Sequence, residues 1–88
     1  MPEHEIKLII VYGTNKVLEV KPVESIEAVK LGAMGLFDVP ASEQNSYVLL
    51  ATVDGKEVQL DEAKTVEAYH LHSDQKVTLA AGTPFGDA

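Results

Sequence analysis

Residues 18–30 read Leu-Glu-Val-Lys-Pro-Val-Glu-Ser-Ile-Glu-Ala-Val-Lys, and several backbone instructions follow one another there with no spacer. Leu18 to Lys21 is the end of a strand, with Leu18 and Val20 on one side and Glu19 on the other. Pro22 has no N–H to give to a ladder and stops that strand. Ser25 stands where a helix N-cap is needed, its hydroxyl able to accept from an otherwise unpaired N–H of the first turn. Glu24 and Glu27 lie near the positive end of the helix dipole. Ile26, Val29, Lys30 and Ala33 then recur at helical spacing, continued by Leu36 or Phe37. Gly32 and Gly35 weaken the second half of this helix by up to about 1 kcal/mol each relative to alanine, in exchange for close packing or an early end. Val39-Pro40 closes the region, because a residue before proline disfavours helical angles.

The remaining segments read as strands and turns. Glu5 to Tyr12 alternates, Ile6, Leu8, Ile10 and Tyr12 toward a core and Lys7, Ile9 and Val11 away from it. Gly13-Thr14-Asn15 is a turn, and Lys16 to Lys21 returns as the second arm of a hairpin, with Val17 facing away from the core. Ala41 to Ser46 is polar and loop-like. Tyr47 to Val53 is rich in β-formers, Asp54-Gly55 is a tight turn, and Lys56 to Leu60 is a short strand. Asp61 to Ala68 holds a turn or short helix, and Lys76 to Ala81 forms the last strand. The order condenses to ββαββ, with a short helix before the final strand, an α+β arrangement of one helix across a mixed sheet. One domain over residues 1–81 is expected, with 82–88 as a flexible tail.

Composition limits the function. Eighty-eight residues support one core, which buries roughly 60–65% of the unfolded surface in chains this short. Fourteen acids oppose seven lysines, with no arginine, for a net charge of −7. Such a surface lacks the clustered cations that displace phosphate counterions, so nucleic acid is not an expected partner. Basic protein surfaces suit it better. Cysteine is absent, which removes disulfides, thiolate metal sites and a cysteine nucleophile. Neither an apolar run of membrane length nor a signal peptide is seen, and the expected location is the cytoplasm.

The segment from residue 18 to 44 resembles the ubiquitin pattern Leu-Glu-Val-x-Pro-x-x-Thr/Ser-Ile-Glu-x-Val-Lys, matched by Pro22, Ser25-Ile26-Glu27, Val29-Lys30 and Val39-Pro40. The resemblance resumes at Gly55-Lys56 and Val58, at Thr65-Val66 with Tyr69 and Leu71, and along Lys76 to Leu79. It needs a loop extension near Asn45–Leu49 and a smaller one near Asp61–Lys64. It implies the ubiquitin-like β-grasp fold. The composition suggests a bacterial chain, with bacterial multi-ubiquitin-type domains the nearest group.

The same resemblance implies a protein modifier, joined through its carboxyl-terminal glycine. The family's terminal Gly-Gly is missing, and the count along the last strand puts Gly86 at the position of the terminal glycine. Asp87-Ala88 would then be removed by a processing protease, after which activating and conjugating enzymes would use Gly86. A glycine suits that role because the tail must pass through a narrow enzyme channel. Lys56 matches the family's main chain-linkage lysine. The central isoleucine of the family's recognition patch corresponds by this count to Thr52, and its histidine to Thr78. Ile9, Val11 and Val17 instead offer an apolar outer face for a partner or for weak self-association.

Other chemistry is thinly represented. His70 and His72, one residue apart and followed by Asp74, form a weak metal-ligand pattern, more simply read as exposed loop histidines; His4 lies close to the amino terminus. No nucleophile–histidine–acid set, phosphate loop or placed carboxylate pair stands out, so neither an enzyme, a metal nor a cofactor is expected. Two alternatives to a modifier remain. One is a non-conjugated interaction or adaptor module that uses the outer face. The other is a sulfur carrier of the same fold, which also needs a terminal Gly-Gly.

Overall fold

Alternation along the chain determines which side of each strand is buried. A computed structural model describes residues 5–83. Strand β1, Ile6–Tyr12, buries Leu8 and Ile10 while Ile9 and Val11 face the opposite side. Gly13, at φ +74°, makes the turn into β2, Thr14–Val20, so pairing begins two residues earlier than Lys16. Helix α1, Ile26–Leu36, is capped by Ser25, whose Oγ accepts from the Ala28 N–H at 3.1 Å. Its buried face is Ile26, Val29, Lys30, Ala33 and Met34. The helix stops where Asp38 turns to φ +57°, just ahead of Val39-Pro40.

Three strands follow the helix, one more than the ββαββ shorthand counts: β3, Tyr47–Val53; β4, Lys56–Gln59; and β5, Lys76–Ala81. Asp54 and Gly55 both take positive φ, +53° and +81°, the left-handed pair that a two-residue hairpin of matching twist requires. The sheet order is β2-β1-β5-β3-β4, with β1 and β5 parallel at its centre and the other pairs antiparallel. The α+β expectation of a mixed sheet with one helix across it is met.

Two segments expected as loop have regular structure. Ala41–Ser46 is a 3₁₀ turn rather than open loop, and the extension placed at Asn45–Leu49 is not a loop, since Tyr47–Leu49 already belongs to β3. The paired arms of the β3–β4 hairpin reach from Leu50 to Gln59, with the Leu60 amide still bonded to the Leu49 carbonyl. A second, three-residue 3₁₀ turn, Glu67–Tyr69, supplies the short helix before β5.

The core lies between α1 and one sheet face: Leu8, Ile10, Val20, Leu49, Ala51, Val77 and Leu79 meet Ile26, Val29, Ala33 and Met34, and Leu60, Val66 and Leu71 close the end. The segment before β5 is tied to the helix start. The Ile26 amide donates to the Lys64 carbonyl at 2.8 Å, and the Val66 amide to the Glu24 carbonyl at 2.9 Å. No helix among the described residues is long and apolar enough to cross a membrane.

Candidate interaction face and exit of the chain

α1 covers one face of the sheet, and the composition of the other follows from strand parity. The ladder sets Ile9 opposite Val17, and places Val11, Thr78, Leu50 and Gln59 in one row across β1, β5, β3 and β4. Val48 and Ala80 face each other in the next row. Val17 is 56% exposed, and Ile9, Val11, Leu50, Thr78 and Ala80 are half-buried. The structure thus brings Ile9, Val11 and Val17 together on the outer face, as expected from their parity, and extends the strip to Leu50.

The ladder places Leu50 and Thr52 differently on this face. Counting from the Gly55-Lys56 turn puts the centre of the face at Thr52, whereas the ladder puts Leu50 beside Thr78 and pairs Thr52 with Glu57 near the hairpin end. Thr52 is exposed there, and Leu50 is half-buried. Period-two alternation within residues 47–53 does carry the signal, since Leu50 has the parity opposite to Leu49 and Ala51.

Charge is unevenly spread around this strip. By strand parity Lys7 and Lys76 share the outer face with Glu19 and Glu57, a balanced set in a chain of net −7. The helix, the following 3₁₀ turn and the segment before β5 carry Glu24, Glu27, Glu43, Asp61, Glu62 and Glu67. The outer face is therefore both the apolar and the electrically neutral side of an acidic molecule.

Six lysines are exposed, among them Lys56 at the first position of β4. Lys30 is fully buried, with Nζ donating to Glu62 Oε2 at 2.7 Å, to the Tyr47 carbonyl at 3.2 Å and to the Gln44 carbonyl. The helical repeat places Lys30 inside; its partner, 32 residues further on, has no local sequence signal.

His70 and His72 line a groove of about 330 Å³ between the β3–β4 turn and the loop before β5. Asp74 is not among the residues lining it, and its amide donates to the Lys7 carbonyl at 2.7 Å. Among the described residues no three histidines or acids gather as metal ligands. His4 and Gly86 lie outside the described residues.

After Ala81 the chain leaves the sheet through Gly82 and Thr83. The Gly82 amide donates to the Ser46 carbonyl at 3.0 Å, and Gln59 Nε2 donates to the Thr83 carbonyl at 2.8 Å.

Comparison with solved structures decides the fold. A ubiquitin from Caldiarchaeum subterraneum superposes with a TM-score of 0.70 at 24% identity, over 94% of this chain and all of that one. The fold is the ubiquitin-like β-grasp. No protein-family model and no curated protein sequence matches the chain. Within the β-grasp frame, α1 fills the concave side, the apolar strip lies on the outer side, and the exit of the chain follows β5.

Proposed function

We propose that the chain is a ubiquitin-like protein modifier, joined to other proteins through the Gly86 carboxylate after the Gly86–Asp87 peptide bond is cut. The observation that carries this reading is the exit of the chain. β5 ends at Ala81, and Gly82 and Thr83 leave the ladder only three residues ahead of Gly86. In this reading the chain supplies a surface and a carboxylate, and partner enzymes supply the chemistry. A protease hydrolyses the Gly86–Asp87 bond. An activating enzyme then lets the new carboxylate displace pyrophosphate from ATP, and an amine finally displaces the activated group to form an amide. Lys56, exposed at the start of β4, is an acceptor for a further copy.

Expression of an amino-terminally tagged chain in its native cells tests this. Higher-mass species that survive denaturation are expected with the native sequence and are expected to vanish with Gly86→Trp. Their absence from both would remove the modifier reading.

The row Val11–Thr78–Leu50 favours a second reading, a non-conjugated interaction module that docks through its outer face. In that case no covalent species forms, and Leu50→Arg abolishes capture of the partner while leaving the fold intact. The face also provides for weak self-association. A sedimentation shift that grows with concentration and is lost in Ile9→Lys is expected, and a constant sedimentation coefficient would eliminate it.

A further inference from the structure

Val48 points outward from the sheet and is nevertheless only 4% exposed. Its cover is the outgoing backbone. A Cβ on Gly82 would stand 2.9 Å from Val48 Cγ2, closer than side chains tolerate, so glycine is what lets the chain lie down on the sheet here. The Gly82 amide is held by the Ser46 carbonyl, and one residue later the Thr83 carbonyl is held by the Gln59 side chain. Gln59 sits outward on β4, opposite Leu50. Residues 82 and 83 are thus laid across β3 toward β4, and among the described residues the side-chain group bonded to them is the Gln59 amide.

We infer that Gln59 is a latch that holds the outgoing chain against the outer face and must open before an enzyme can take the residues leading to Gly86. The inference deepens the modifier reading and rests on it for its biological meaning. An enzyme that grips an extended segment does so largely through the segment's own backbone groups. While Gln59 holds the Thr83 carbonyl, residues 82 and 83 lie against the outer face and are not free to enter such a grip. The apparent affinity then falls in proportion to the unlatched, binding-competent fraction, so the smaller that fraction the weaker the binding. Gln59 is a positioning residue and takes no part in bond making.

Chymotrypsin acting on the purified full-length chain tests the latch. Cleavage after Phe85 requires the protease to engage Pro84 and Thr83 in extended form, so the latch must open first. Loss of one such hydrogen bond is expected to raise the cleavage rate about fivefold in Gln59→Leu and Gln59→Glu, neither of which donates at neutral pH. Gln59→Lys keeps a donor of similar reach and is expected to remain near the native rate. Glu57→Leu, outward on the same strand, is the control and is expected to change nothing. Equal rates for the native chain and Gln59→Leu would overturn the latch.

The carbonyl-carbon resonance of Thr83 is a second readout, independent of any loosening of the fold. It is expected to move in Gln59→Leu and stay in Glu57→Leu, and an unmoved resonance overturns the latch even where the rates differ. Since neither measurement involves conjugation, a failed latch leaves the modifier reading standing, and an absence of conjugates in cells leaves the latch standing.

Discussion

Lys30 Nζ lies 2.7 Å from Glu62 Oε2, and no part of the lysine side chain reaches solvent. The same ammonium holds the carbonyls of Gln44 and Tyr47, so one buried cation ties α1 to the 3₁₀ turn, to β3 and to the segment before β5. Glu62→Ala strands that charge. A loss of about 2–3 kcal/mol is expected, somewhat below the range for a fully buried pair because Glu62 retains 18% exposure. The double substitution Lys30→Met with Glu62→Leu leaves no stranded charge and is expected to cost less than Glu62→Ala alone. Urea midpoints measure both, and a Glu62→Ala loss under about 1 kcal/mol would show the pair to be dispensable.

Burial also sorts the lysines as acceptors. Lys7, Lys16, Lys21, Lys56, Lys64 and Lys76 are exposed and Lys30 is not. Brief treatment of the folded protein with an amine acylating reagent, read by peptide mass, is expected to modify the six and spare Lys30. Equal labelling of Lys30 would mean that the helix N-terminal half opens readily.

Two helix glycines differ in their surroundings. A methyl group on Gly35 meets nothing within 4 Å, whereas one on Gly32 meets Leu18 Cδ2 at 3.3 Å. Gly35→Ala is expected to stabilise by up to about 1 kcal/mol, the helix-propensity difference, and Gly32→Ala by clearly less because Leu18 must shift. Thermal or urea unfolding separates the two, and a larger gain at Gly32 would contradict the packing described.

Tyr47 provides the pH dependence. Its hydroxyl lies 3.1 Å from that of Tyr12, and this hydrogen bond, then burial, then the charges of Tyr12 and Glu43 raise its phenol above the ordinary value. The folded protein thus holds the proton more tightly than the unfolded chain does. The resulting stability is complete below the ordinary phenol pKa of about 10 and is lost as pH rises through the raised folded value. Tyr12→Phe removes the leading cause, so phenolate absorbance from Tyr47 is expected to appear at lower pH than in the native protein. An unchanged titration would mean that Tyr12 has no part in it.

The features legible in the sequence are those set by neighbours along the chain. Ser25 as a cap, Pro22 as a stop, Asp54-Gly55 as a turn and the inward parity of Leu8, Ile10, Leu18 and Val20 all follow from local chemistry, and together they specify the fold. The outward parity of Ile9, Val11 and Val17 follows from the same alternation. The outward parity of Leu50 follows in the same way from the alternation within residues 47–53. Glu62 beneath Lys30 and Gln59 beside Thr83 are brought into place by separations of 32 and 24 residues, and only the assembled sheet and helix bring them together.

The mass of the protein isolated from its native cells tests the role of Gly86. A carboxyl terminus at Gly86 is expected, with Asp87-Ala88 removed, and a further population in which that carboxylate forms an amide with another protein. A gain of sulfur for oxygen on the processed glycine would point to the carrier chemistry instead. A chain that keeps Asp87 joined to Gly86 in every molecule, with no conjugate at any mass, would mean that the protein is not a modifier.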